Sequence, residues 1–281
     1  MLKQSRRNFL RLAGLTAAAG SLPMSELFSA PSASAGKGTA PFDLGMASYT
    51  FRSFTLDQAI EMTVRLGMKK MTLKDMHLPM KSSEEEIKAA LGKMKSAGVE
   101  LSSCGVVYMK TEDEVNKAFA YAKMAGIKMM VGVPDAPLLE LAEKKVKETD
   151  ISLAIHNHGP TDQRYPSPEN AYRLIEKMDK RMGLCIDVGH TQRLGLDPAD
   201  EVARFFDRLF DVHIKDVSSA DAKGSTVEIG RGVIDTPKLL KTLIKLKYSH
   251  TIHFEHEKDQ KDPLPGVAES VGYVRGVLAT M

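Results

Sequence analysis

The sequence predicts an α/β chain in which eight parallel strands, each followed by a helix, close into a (β/α)8 barrel. Three observations carry that expectation. After Ala40, short apolar runs alternate about eight times with amphipathic helical stretches. The strands recur at intervals of roughly 25 to 40 residues, the spacing of repeated βαβ units. The later strands also share one inward and outward parity, as the staves of a barrel must. Eight such units in one domain argue for closure as a TIM barrel. An open doubly wound sheet is the structural alternative, but no GxGxxG follows the first strand to support it.

Ahead of the barrel, MLKQSRRNFLRLAGLTAAAG carries Arg6 and Arg7 within SRRNFL and then a mild apolar run, which resembles a twin-arginine export signal. Ala33, Ser34 and Ala35 form an AxA-like cleavage site, so residues 1–35 are expected to be removed and residues 36–281 to form the barrel domain. The expected location is periplasmic, or otherwise exported. No stable membrane anchor is expected after cleavage: the apolar run from Leu10 to Leu22 is short and rich in Gly and Ala, and no cysteine near the cleavage point invites a lipid. The segment holds four basic residues against one acidic residue, which accounts for the whole net charge of +3. A formally neutral mature chain gives no basic face for nucleic acid.

Strands are expected to begin near Leu44, Met68, Val99, Ile127, Asp150, Met182, Phe210 and His250. Between them SSEEEIKAALGKMKSAG reads as a helix capped by Ser83 and ended by Gly98. TEDEVNKAFAYAKMAG repeats that grammar from Thr111 to Gly126. The two cysteines, Cys104 and Cys185, each lie in an apolar strand, where a thiol behaves as a small hydrophobe, and no disulfide is expected.

Parity locates the chemistry. In ISLAIHNH, Leu153 and Ile155 alternate with Ser152, Ala154, His156 and His158; in GLCIDVGH, Leu184, Ile186 and Val188 alternate with Gly183, Cys185 and Asp187. DVHIKD sets Val212 and Ile214 against Asp211, His213 and Lys215, and TIHFEHE sets Ile252 and Phe254 against Thr251, His253 and Glu255. Each strand thus ends in an inward titratable group at the C-terminal mouth, where active sites of such barrels are built. A carboxylate in the apolar run LCIDV is costly unless something compensates it. A divalent ion held by His156, Asp187, His213 and Glu255 would do so. Two imidazoles and two carboxylates suit Mn2+ or Zn2+ first, then Co2+ or Fe2+, and suit Mg2+ or Ca2+ less well.

AIHNHG, CIDVGH, VHIKD and HFEHE, in this order on successive units, resemble the xylose isomerase-like barrels, the sugar phosphate isomerase and epimerase superfamily. That superfamily also holds ketose 3-epimerases, hydroxypyruvate isomerase, inosose dehydratase and endonuclease IV. The resemblance implies a metal held by Glu, Asp, His and Glu, the two glutamates acting as acid and base on opposite faces of a sugar. Asp187, His213 and Glu255 match three of those ligands. The first glutamate is replaced by His156, so one carboxylate of a two-base epimerisation is missing. Inosose dehydratases share a His-rich strand here, which shifts weight toward elimination or hydration. Glu255 and His158 are the candidate bases, and Lys215 is placed to polarise a carbonyl or to form a salt bridge with Asp187 or Glu255.

Candidate substrate contacts are His190, three residues past Asp187; Lys74 and His77 in LKDMHLP; Arg52 in SYTFRSF; and Arg231. Arg231 lies between Gly230 and Gly232 in STVEIGRGVID, which resembles the GxG element after strand seven of the superfamily; as a phosphate cradle the motif is weak. His77 and Arg52 read equally as solvent-facing residues, and an exposed turn histidine is the lesser reading of His190. The expected activity is a metal-dependent isomerase or epimerase on a small-molecule sugar or keto-sugar, by proton abstraction beside a carbonyl. The alternative is a lyase or dehydratase on a 3-keto-glycoside or an inosose-like substrate. An exported sugar-binding protein without turnover is a third reading, and a homo-oligomer is compatible with the sequence. An endonuclease IV-like phosphodiesterase needs a trinuclear site, whose further Asp and His ligands are missing from STVEIGRGVID.

Overall fold

A computed structural model describes residues 40–281. The expected signal segment and its export role fall outside the described residues. Eight strands form a closed barrel whose neighbours follow chain order: β1 (Asp43–Ala47), β2 (Lys70–Leu73), β3 (Glu100–Met109), β4 (Met129–Pro134), β5 (Ser152–His156), β6 (Met182–Asp187), β7 (Leu209–Ile214) and β8 (Thr251–Phe254). Every barrel pairing is parallel, and β8 closes on β1 through Asp43 opposite Thr251.

Helices return the chain between strands: α1 (Leu56–Arg65), α2 (Glu84–Ser96), α3 (Glu112–Met124), α4 (Leu139–Thr149) and α5 (Pro168–Ile175) follow β1 to β5 in turn. The short α6 (Val188–Gln192) and α7 (Pro198–Arg204) follow β6, α8 (Thr236–Lys245) follows β7, and α9 (Leu264–Ala279) follows β8. No helix among the described residues is long and apolar enough to cross a membrane.

Local chemistry sets the helix ends where the sequence places them. Ser83 and Glu86 satisfy each other's backbone N–H groups at the start of α2, and Thr111 and Glu114 do the same for α3. Gly98 and Gly126 follow those helices at φ +71° and +69°, a backbone state that costs a side-chain-bearing residue energy. Strand parity then divides the residues. Leu153, Ile155, Ile186, Val212, Ile214, Ile252 and Phe254 are buried in the apolar core, while the alternate positions on the same strands carry the polar groups of the lumen. Cys104 and Cys185 are buried free thiols, and burial pushes the Cys104 thiol up to about 12.

Two features interrupt the regular pattern. The pairing of β3 slips twice, opposite Met71/Thr72 of β2 and again between its own Cys104 and Val107, so β3 carries extra residues relative to its neighbours. Beyond β7 a two-stranded antiparallel ladder pairs Asp216 with Val227 and Val217 with Thr226, a hairpin rising from the mouth.

Candidate metal centre and active site

β5 and β6 end in His156 and Asp187, His213 is the next-to-last residue of β7, and Glu255 follows directly on β8. Register brings them level, because Asp187 pairs with His213 and the Glu255 N–H donates to the Ile214 carbonyl. All four are buried, and their donor atoms lie within 4.8 Å of one another. His156 Nε2 stands 3.2 Å from His213 Nδ1 and 3.6 Å from Asp187 Oδ2, and His213 Nδ1 stands 3.3 Å from Glu255 Oε2. Donors bound to one ion at about 2.1 Å are separated by roughly 3.0–3.4 Å. The residues present therefore fit a divalent ion.

Charge supports the same fit. Lys215 Nζ lies 2.8 Å from both Asp187 Oδ2 and Glu255 Oε2 and also pairs with Glu257. One ammonium among three carboxylates leaves two negative charges, the amount a divalent ion neutralises. Burial works against the anion of Asp187, yet Lys215, His190 and His156 hold its carboxyl far below the usual range. Glu255 is likewise kept ionised against its burial by Lys215 and His213. Burial lowers His156 well below the ordinary imidazole value, leaving it neutral as a ligand must be, whereas Glu255 overcomes burial at His213 and raises it. Gly189 gives Lys215 its path, since a Cβ there would come within 2.5 Å of the lysine Cγ.

The remaining expected site residues divide into two groups. His158 and His190 surround His156, with ring centroids 4.5 and 6.1 Å from it. Burial, and then His190, lower His158 to about 4. Its Nε2 is hydrogen-bonded to the Tyr108 hydroxyl at 2.9 Å, and its buried Nδ1 has no partner among the described residues. Lys74 Nζ sits 4.5 Å from the Tyr49 ring centre and 5.7 Å from that of Tyr108. Burial lowers its pKa against the pull of Glu255 and Glu257. Arg52 stacks on Tyr49, and its guanidinium is spent on the carbonyls of Tyr49 and Glu257.

His77 and Arg231 are placed otherwise than expected. His77 is buried with Nε2 against the carbonyls of Phe51 and Phe54, where it ties down the turn after β1 instead of facing a ligand. Arg231 is exposed and paired with Glu269 of α9. Its loop is no anion cradle, because buried Asp216 accepts the N–H groups of Gly230, Gly232 and Ile234 and so consumes the donors a phosphate would need.

Tyr108, Tyr49, Glu257 and Asn157 were not expected at the site. Asn157 Oδ1 accepts the Asp187 N–H at 3.0 Å and its amide donates to Thr191, fixing the turn that presents Asp187. Glu257 could have been found, for it repeats the parity of Glu255 two residues on.

A parallel barrel with two imidazoles and two carboxylates at the C-terminal ends of successive strands has the form of a barrel enzyme with its site at the mouth. The chain belongs to the xylose isomerase-like TIM barrel family, whose sequence profile matches residues 55–277. It is similar to the rhizopine catabolism protein MocC of Rhizobium meliloti, 30% identical over 151 residues, which are 48% of this chain and 46% of that protein. It is also similar to inosose dehydratase of Geobacillus kaustophilus, 29% identical over 145 residues, 46% of this chain and 45% of that protein. The chain thus spans about half the length of the curated relatives it matches. A solved L-ribulose 3-epimerase shares the fold at a TM-score of 0.68 and 13% identity, over 85% of this chain and 95% of that one.

Proposed function

We propose that this protein is a divalent-metal-dependent enzyme that removes a proton beside the carbonyl of a keto-sugar, with loss or addition of a neighbouring oxygen substituent as the favoured outcome. The metal centre would be His156, Asp187, His213 and Glu255, with Mn2+ or Zn2+ as leading occupants. When bound, the ion supplies Lewis acidity that acidifies the C–H next to a carbonyl.

The carrying observation is the pairing of His158 with Tyr108. Glu255 is stabilised as an anion by Lys215 and His213, which makes it a weak proton acceptor. His158 is neutral at physiological pH and keeps an unpartnered ring nitrogen, so it is the better acceptor. The Tyr108 hydroxyl on its other nitrogen can return that proton to a departing oxygen. Lys215 is locked among three carboxylates, which makes it an electrostatic support rather than a proton carrier. Lys74, partly desolvated over Tyr49 and Tyr108, is a cation placed to orient a substrate oxygen.

Epimerisation is the second reading, supported by family membership. Export read from residues 1–35 would make the substrate an unphosphorylated sugar. Elemental analysis of purified protein should find about one Mn or Zn per chain. In D2O the metal-loaded protein should exchange a C–H proton of an inosose or a 3-keto-glucoside and form the unsaturated ketone. Asp187→Asn should lose both the metal and the exchange. A metal-free protein that still exchanges these protons would refute the reading, and exchange with inversion but without elimination would establish the epimerase instead.

A further inference from the structure

A cavity of about 510 Å³ adjoins the centre, sharing Lys215, His190 and Glu257 with it and reaching Arg193, Lys258 and the hairpin turn at Gly224. Its charges are unequally matched. Lys215 is surrounded by Asp187, Glu255 and Glu257, and Lys258 pairs with Glu228 at 2.7 Å. Arg193 has no carboxylate within 4.0 Å among the described residues. Its Nη2 donates to the Ala222 carbonyl at 2.9 Å, and its buried Nε has no partner. Gly224 lets the hairpin turn close, since a Cβ there would lie 2.4 Å from the Ser219 carbonyl oxygen, and the arginine Cγ passes at 3.3 Å from the same point.

We propose that this cavity is a subsite for a carboxylate carried by the substrate, so that the substrate class is an acidic sugar, with Arg193 its specificity residue. The proposal rests on the sugar-modifying reading of the neighbouring centre. A guanidinium with free N–H donors matches the planar fork of a carboxylate. One unpaired cation balances one monoanion, whereas a phosphate dianion would retain a charge in the cavity. The Nε of Arg193 is buried without a partner, which is costly, and an anion there would remove that cost.

Calorimetric titration of the metal-loaded protein with glucuronate, glucose and glucose 6-phosphate tests this. Glucuronate should bind at least tenfold more tightly than glucose, and more tightly than glucose 6-phosphate. Arg193→Gln should erase the preference for glucuronate with metal content and melting temperature unchanged, and Arg193→Lys should keep part of it. Equal response to glucuronate and glucose, including none to either, overturns the subsite, as does a preference for glucose 6-phosphate or a preference that survives Arg193→Gln. Failure of the metal reading would show separately, as empty protein in the elemental analysis.

Discussion

Asp187 divides its two oxygens between two tasks. Oδ1 accepts the His190 N–H at 2.8 Å and caps α6, while Oδ2 faces His156 and Lys215 at the centre. A strand-end aspartate can thus be a helix cap and a candidate ligand at once. His158 is the residue whose chemistry is most exposed to test. Its lowered pKa leaves it neutral above about 4, so a rate depending on it as acceptor falls only as pH drops through about 4. His158→Gln should lower kcat by roughly 10²- to 10⁴-fold, remove that acid limb from the pH profile and leave metal content intact. A variant with wild-type kcat and an unchanged limb would assign the proton transfer elsewhere.

At the scale of the element, Arg208 shows what strand patterning does not reveal. It precedes β7 and is fully buried, donating to the carbonyls of Glu176, Met178, Asp179 and Met182 and so binding the connection from α5 to β6. Arg208→Met strands those carbonyls in a dry site and should destabilise the fold by about 3 kcal/mol or more, read as a lowered urea midpoint; a midpoint within error of wild type would show that water replaces the guanidinium. In FFDRLF the residue looks like an ordinary surface charge, since carbonyl acceptors leave no mark in a sequence. What was legible followed from side-chain period and cap chemistry: Ser83, Thr111, and the inward parity of β5 to β8. Tyr108 escaped because it lies beyond two register slips in β3, where alternation no longer tracks the neighbouring strands. The placement of Arg231 escaped because Asp216, fifteen residues upstream in the hairpin, takes the loop's N–H groups through a contact that only the fold creates.

For the whole molecule, buried polar groups continue down the barrel lumen below the centre. Beneath the centre, Ser102, His253 and Asp211 form a hydrogen-bonded row, with 2.7 Å from Ser102 Oγ to His253 Nε2 and 2.8 Å from His253 Nδ1 to Asp211 Oδ1. This row partners Ser102, His253 and one oxygen of Asp211, while Asp211 Oδ2 stays buried without a partner among the described residues. At the mouth three carboxylates face one ammonium, so fold stability should depend on what fills it. An ion at a hundredfold excess over its dissociation constant adds about 2.7 kcal/mol, which for a domain of this size is roughly 5–10 °C in melting temperature. The pH dependence has a definite sign. Without the ion, His213 is raised above its ordinary value by Glu255, so its stabilisation is full below the unfolded imidazole pKa of about 6.5 and is lost as pH rises through the higher folded value. With the ion, His213 must be deprotonated, and binding strengthens over that same interval. The melting temperature of metal-loaded protein should therefore exceed that of chelator-treated protein by a margin that widens from pH 6 to pH 8. A margin that stays constant or narrows in calorimetric scans would place the stabilising ion away from His213.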